Sequence, residues 1–465
     1  MHATWLDSAR KGRSRMSTVG KIFMSDVLIS KLDIPLASTV KVRVGVKVVS
    51  SKLVVRNGKL SSYMLSPQLA KALCLNRRKP LQIRYDQEKE MIHIGPTIGI
   101  LASYLPNELE FNPKSVQAEL IFLSKIGQQL PAQVYFFTSS SINWTSKTVR
   151  GFIYHQLSSD RGIWTSSVYP LPDVVYDRIS SRAGEARPGI KNTKKKLMNL
   201  QHLKYFNPSF LNKWKVHKLL VANADLIPYL PETQLLNASS MKDMMMRHKT
   251  LYLKPCNGSQ GNGIIKVICN DQGKLKYTVY RNGRHAGHAD NTTDFMKRSR
   301  LARKGKPYIV QQGLNLSTFH ESPFDIRIIY QKNHEGEWKI SKQFVRVAPR
   351  GSSVANLSRG GTAETSKRVF ASILNRNKKL IEEKHEELRN LCSMVAVTLE
   401  SSSKKLYGEL GLDIGIDKGG NFWLIEVNSK PRKTTETELS QGIVRNTFRR
   451  PLQYAIHLAG FQNRQ

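Results

Sequence analysis

The 465-residue chain carries 73 Lys and Arg against 35 Asp and Glu, a formal net charge of +38 at neutral pH. With 40% hydrophobic and 23% charged residues it has the composition of a folded protein, and its length suits two or three domains around sizeable cores. No apolar run approaches the ~18 residues of a membrane-spanning helix, which excludes a helical membrane span.

A balance this basic attracts nucleic acid, anionic polymers or acidic proteins through a salt-sensitive field. The charge is dispersed, with modest clusters such as KNTKKK at 191–196 and RKGK at 303–306. No zinc-finger or RNA-recognition signature accompanies it, so the charge reads first as a solvated basic surface, sequence-specific nucleic-acid binding is not expected, and an acidic polymer or protein is the kind of partner it leaves open. Cys74, Cys256, Cys269 and Cys392 match no zinc spacing and suit a reducing, cytoplasmic setting. His285 and His288 read as part of a polar loop.

In chain order, residues 1–23 are basic, lack the apolar block of a signal peptide, and read as a loose extension. Residues 24–110 read as a small β-rich domain. Its strands are TVKVRVGVKVV, SKLVVRNGKL with a turn at Asn57-Gly58, PLQIRYD and EMIHIG, and it ends near GPTIGIL at 95–101. The short amphipathic stretch SPQLAKALCL interrupts them as a helix. From 111 to 204, helical pieces alternate with strands such as AQVYFFTSS and VRGFIYHQL, followed by PLPDVVYDRI; this suits a small α/β domain. Residues 205–465 form a third unit. It opens with a helix carrying Trp214, Leu219 and Leu220, is strand-dominated between 250 and 350, holds a long helix at about 365–402, and ends in a hairpin. The fold class is α+β with largely antiparallel sheets in this last unit.

Several motifs could carry chemistry. In YLKPCNGSQGNGIIKV, Lys254 ends an apolar strand and Gly258, Gly261 and Gly263 follow it. Such glycines let backbone N–H groups approach phosphate, though the stretch is neither a Walker loop nor GxGxxG and could equally be a glycine-rich hairpin. In YIVQQGL an apolar strand runs into a polar hinge at Gln311 and Gln312. FDIRIIYQ places Asp325 and Arg327 on the face opposite Ile326 and Ile328. There Arg327 could hold phosphate or pair with Asp325 at the surface. The loop VANLSRGG adds Asn356 and Arg359.

The last hairpin, GLDIGIDKGGNFWLIEVNSKP at 411–431, holds Asp413, Glu426 and Asn428. A two-residue Gly419-Gly420 turn would set Lys418 against Asn421 and Asp413 against Glu426. Asp413, Glu426 and Asn428 then share one face, and Leu412, Ile414, Trp423, Ile425 and Val427 the core face. Opposed carboxylates need either open solvent or a cation between them.

Taken in order, these elements resemble the ATP-grasp superfamily of carboxylate-amine ligases over about residues 205–460, and within it the endospore coat-associated YheC/YheD family. The resemblance implies an ATP-grasp fold behind a small β-rich domain and a pre-ATP-grasp-like α/β domain. It implies ADP-forming ligation of an amine to a carboxylate through an acylphosphate, with ATP and Mg²⁺ as cofactors, or else a non-catalytic coat or scaffold protein. It also implies an association with the spore coat, with a coat protein as a partner. Carried over residue by residue, Lys213 and Lys254 match the two phosphate-side lysines, and Gly258, Ser259, Gly261 and Gly263 the loop over the phosphates. Gln311, Gln312 and Leu314 match the adenine hinge, with backbone groups of Gln312 and Leu314 toward the base; Gln312 stands where related enzymes often have an acid. Arg327, Asn356 and Arg359 match positions facing phosphate and acceptor, and Asp413, Glu426 and Asn428 the metal positions.

Overall fold

The structure is a computed structural model that describes residues 18–76, 81–105, 116–158, 161–258, 261–281, 283–299, 305–349, 361–433 and 441–461. Its strands form four sheets. The first contains β1 (Lys21–Ser25), β2 (Thr39–Val44), β3 (Lys47–Arg56), β4 (Tyr63–Leu65), β5 (Gln82–Asp86) and β6 (Met91–Gly95), in the order β4-β1-β3-β2-β6-β5. Two expectations change here. The end of the basic leader is a strand inside the sheet, because Ile22 and Met24 alternate into the core. Asn57-Gly58 does not make a hairpin of its flanking strands: β3 turns back onto β2 through Gly45 at φ +55°, while β4 pairs with β1. The helix at Pro67–Ala72 starts as its sequence suggests, with Ser66 capping Leu69 N–H and proline in the first turn.

The second sheet holds β7 (Thr97–Leu101), β8 (Gln133–Phe137), β9 (Ile142–Asn143), β10 (Thr148–Gln156), β11 (Gly162–Pro170), β12 (Val174–Asp177) and β13 (Lys204–Phe206). TIGIL was expected to close the first domain, but β7 is an interior strand of this sheet, parallel to both β8 and β12. A strand buried along its whole length needs no alternation, which is why its continuous apolar run fits here. The C-terminal helix Gln441–Leu458 returns to this layer, where Val444, Phe448, Leu452 and Ile456 join the core of Ile98, Ile100 and Phe136.

The third sheet is β14 (Thr233–Leu235), β15 (Thr250–Pro255), β16 (Ile264–Cys269), β17 (Leu275–Tyr280), β18 (Arg284–Ala289) and β19 (Tyr308–Gln312), ordered β14-β19-β15-β16-β17-β18. The fourth is β20 (Thr318–Phe319), β21 (Ser322–Lys332), β22 (Trp338–Val347), β23 (Thr362–Glu364), β24 (Glu409–Ile416) and β25 (Phe422–Asn428), running β23-β22-β21-β24-β25 with β20 on β21. Every pairing in both is antiparallel, as expected. The long helix expected at 365–402 is two helices, Ser366–Ile373 and Lys378–Ser403. Asn375 and Arg376 at positive φ break it, and Asn377 caps the second by accepting from Leu380 N–H.

A buried ionic network joins the second sheet to the fourth. Glu409 at the head of β24 accepts from Arg178 at 2.7 Å, and Lys433 lies 2.7 Å from its other oxygen. Asp177 at the end of β12 is paired with Lys194 at 2.8 Å and Lys430 at 2.6 Å. Neither carboxylate has any exposed surface. Burial alone would push both carboxyls up, but the surrounding cations outweigh it and hold them below their ordinary values of 4.5 and 3.8. Their stabilisation is therefore complete above those values and is lost as the pH falls through the depressed ones. Glu409→Ala, which leaves Lys433 without a carboxylate and Arg178 with Glu119 alone, is expected to cost about 3–5 kcal/mol, read from the urea midpoint at pH 7. For the unsubstituted chain the same midpoint should fall steeply as the pH is lowered from about 5 to 3.

Candidate active site

Two lysines meet between the third and fourth sheets. Lys213 opens the helix Lys213–Leu220, whose cap Asn212 accepts from Lys215 N–H and donates to Asn257 just beyond β15. Lys213 N–H donates to Cys256 C=O at 2.9 Å, fixing the helix start against the glycine loop. Its ammonium contacts Glu426 of β25 directly. Lys254, in β15, donates to Gln311 Oε1 at 2.5 Å, and Gln311 in turn donates to Thr233. Burial, reinforced by Lys213 and opposed by Glu426 and Asp413, lowers the Lys254 ammonium to about 8. In the loop that follows, Gly261 and Gly263 adopt φ +69° and +80°. Gly263 N–H donates to Tyr280 C=O, so this N–H is already engaged. Ser259 lies outside the described residues, as do Asn356 and Arg359.

The closing hairpin has the expected pair by a different route. Asp413 stands opposite Glu426 and Gly411 opposite Asn428. The turn, however, has three residues: Asp417 N–H donates to Asn421 C=O, Gly420 N–H to Asp417 C=O, and Gly420 lies at φ +82°. That slips the register by one, so Ile416 faces Phe422 and Ile414 faces Leu424. A bulge at Ile425 restores it before Glu426. The core face is accordingly Phe422, Leu424 and Val427, and not Trp423 and Ile425 as the two-residue turn implied. Ile425 and Leu316 come together over Gly415, where an added Cβ would meet Leu316 at 2.8 Å and Ile425 at 3.2 Å. Sequence reasoning missed this apolar pair because the bulge has no local signature.

Neither Asp325 nor Arg327 is paired as a surface couple. Arg327 on β21 faces Asp413 on β24, with its Nε 2.8 Å from Oδ1. Asp325 faces Arg346 on β22, which holds it with two bonds of 2.6 and 2.7 Å and also lies 2.9 Å from Asp413 Oδ2. Arg346 was not anticipated; it lies in FVRVA, where only the β21–β22 register reveals its partners. Burial favours protonation of both acids, but the two guanidiniums outweigh it at Asp413, whereas Asp325 is pushed up to about 6. Arg182, from the second domain, also reaches toward Glu426 electrostatically while donating to Leu211 C=O at 2.6 Å.

At the hinge, Gln312 N–H is spent on Glu232 C=O, and its side chain accepts from Glu232 N–H. Its carbonyl and its side-chain amide N–H groups are not used in these two bonds, and Leu314 N–H has no hydrogen bond among the described residues.

Two antiparallel sheets, one with Lys254 beside a glycine-bearing strand connection and the other with Asp413 opposite Glu426, with Lys213 contacting Glu426 between them, have the arrangement of the ATP-grasp fold. Residues 202–458, more than half of the chain, match the family model described as YheC/D like ATP-grasp, and the chain belongs to that family. It is 28% identical over 421 residues to the endospore coat-associated protein YheD of Bacillus subtilis (strain 168), covering 89% of this chain and 90% of that protein. To the endospore coat-associated protein YheC of the same organism it is 26% identical over 379 residues, covering 79% and 98%. Similar solved structures include D-alanyl-alanine synthetase A from Vibrio cholerae (14% identity, TM-score 0.43, covering 79% of this chain and 98% of that one). The VanG D-Ala:D-Ser ligase from Enterococcus faecalis is comparable (13%, TM-score 0.42, covering 78% and 99%).

Members of this family generally bind ATP with Mg²⁺. The donor set fits that ion: Asp413, Glu426 and Asn428 supply hard oxygens. Asp413 Oδ1 is buried and accepts no hydrogen bond, despite its proximity to Arg327. Among the described residues Asn428 Oδ1 accepts from Lys430 N–H alone, at 3.1 Å, which leaves a lone pair. No three His, Cys, Asp or Glu side chains cluster as a metal site among the described residues. Removing Arg346 would leave Asp325 and Asp413 facing each other in the interior. Arg346→Met is expected to destabilise the fold by about 3–5 kcal/mol in urea titrations.

Proposed function

We propose that the chain is an ATP- and Mg²⁺-dependent carboxylate-amine ligase. The observation that carries the reading is the convergence of Lys213, Lys254 and Arg327 on the one place where Asp413 and Glu426 stand opposed. Three cations within reach of a phosphate chain suit stabilisation of a transferred phosphoryl group, and the two opposed carboxylates would suit a divalent ion. When bound, Mg²⁺ supplies charge neutralisation at phosphate oxygens.

In this reading Asp413, Glu426 and Asn428 hold the ion, and Ile425 and Leu316 offer an apolar wall to the base. Leu314 N–H and the Gln312 carbonyl address the base edge, and Gly258, Gly261 and Gly263 lie on the phosphate side. Lys213, which contacts Glu426 in the structure, would be free to hold phosphate once Glu426 held the ion. A substrate carboxylate oxygen attacks the γ-phosphorus, and the bond to the β-phosphate oxygen breaks to release ADP. The amine nitrogen then attacks the acyl carbon, the carbon–oxygen bond to phosphate breaks, and the nitrogen gives up a proton. Arg327 neutralises the phosphoryl oxygens through the first step. The four thiols are free, as a cytoplasmic workplace would allow. The names of the YheC and YheD relatives extend the proposal to a task at the endospore coat.

Glu426→Gln removes one carboxylate while preserving shape. It should leave Mg²⁺-independent nucleotide binding within about twofold and abolish the Mg²⁺-dependent gain, measured calorimetrically with ATP. Unaltered Mg²⁺-dependent binding would overturn the metal assignment. ADP release screened over amino acids, peptides and spore extracts tests turnover; stimulation by none of them would leave a nucleotide-binding scaffold.

Lys254 supplies a second test. Its ammonium sits at about 8 without ligand, and phosphate beside it favours the charged form. ATP binding at pH 8.5 should therefore take up protons, seen as binding heats that depend on the buffer's ionisation enthalpy, and Lys254→Met should remove that dependence.

A further inference from the structure

The first sheet has two faces of opposite character. Its inner face carries Ile22, Met24, Val42, Val44, Ile92 and Ile94, all buried. Register fixes the outer one: across β1 and β3, Lys21 stands beside Lys52, Phe23 beside Val54 and Ser25 beside Arg56. Across β2 and β3, Lys41 stands beside Ser50. One end of this outer face is covered, because Arg43 and His93 turn onto Asp173 of the second sheet at 3.1 and 3.0 Å.

The other end is open and uniformly basic. Lys21, Lys41, Lys52 and Arg56 are exposed, and none has an ion-pair partner among the described residues. Strands β1 to β4 contain no Asp or Glu at all. Carboxylates at the margin are engaged elsewhere: Asp86 on β5 pairs with Lys89 at 3.4 Å, and Asp26 accepts from Val27 and Gly58 N–H. Like charges side by side on neighbouring strands, about 4.8 Å apart, are destabilising, yet Lys21 and Lys52 occupy such a pair. At about 3.3 Å per residue, the line from Arg56 through Lys52 to the level of Lys41 makes a cationic stripe of roughly 20 Å.

We propose that this face binds a flexible, base-free polymer of phosphate groups. Charge complementarity selects a polyanion, and the aromatic content of the face selects against bases. The ring on the open face, Phe23, is half-buried and covered by the Arg56 guanidinium at 4.2 Å, so no ring is offered for stacking. The phosphates are gripped and the units between them go unread.

The test uses the full chain and inorganic polyphosphate of defined length, with affinity measured between about 50 and 300 mM salt. The paired change Lys21→Gln with Lys52→Gln should weaken binding more than about tenfold at low salt and reduce the log–log salt slope by about 1.4, or ~0.7 per cation removed. A second pair, Lys41→Gln with Arg56→Gln, should do the same, so misfolding of one variant does not decide the matter. ADP-forming turnover should be unchanged in both. The exposed pair Lys378→Gln with Lys379→Gln makes an equal charge change elsewhere and should alter affinity less than about twofold. Equal losses in control and sheet variants would overturn the proposal in favour of diffuse attraction. Tighter binding of single-stranded oligonucleotides than of polyphosphate carrying the same number of phosphates would overturn it in favour of nucleic acid.

Discussion

The structure depends on neutralising carboxylates in places that water does not reach. Glu409, Asp177, Asp173 and Asp413 are all buried, and each is held by at least one cation. Taking a carboxylate out of water is unfavourable unless its partners are in place, so these clusters fix where the domains meet. Lys430 and Lys433 follow directly after the hairpin bearing Glu426 and Asn428, and they anchor that hairpin to Asp177 and Glu409. The placement of β25 is thereby tied to the second sheet as well as to its own.

How much of this was legible follows from the range of each interaction. Lys213, Lys254 and Arg327 could be located because each marks the end or one face of a strongly patterned element. Asp413 opposite Glu426 was also legible, yet through two cancelling departures: a three-residue turn in place of two residues, and a bulge at Ile425 that undoes the slip. A pure alternation count cannot see either, and it put Trp423 in the core where Phe422 belongs. Arg346 and Arg182 stayed hidden because their partners lie on other strands or another domain, a long way along the chain. Strand β1 was hidden for a related reason. It pairs in parallel with β3, a contact that no neighbouring turn announces.

The charge of +38 likewise resolves into two populations. Some cations are structural: Arg43, Arg178, Lys194, Lys430 and Lys433 are buried against acids and contribute little to the outer field. Others, such as those on the outer face of the first sheet, face water without an acid beside them. Composition counts the two alike, and only register and burial separate them.

The contact between Lys213 and Glu426, together with the two guanidiniums on Asp413, makes the cleft behave like an ion-exchange resin already loaded with its own counter-ions. Under the proposed function, a metal–nucleotide pair would have to displace these internal cations from their internal anions and take partners from both. The gross attraction of the new contacts is offset by those given up, so affinity reflects the difference between two sets of ion pairs. Paired in this way, the charges of the site compensate one another within the fold itself.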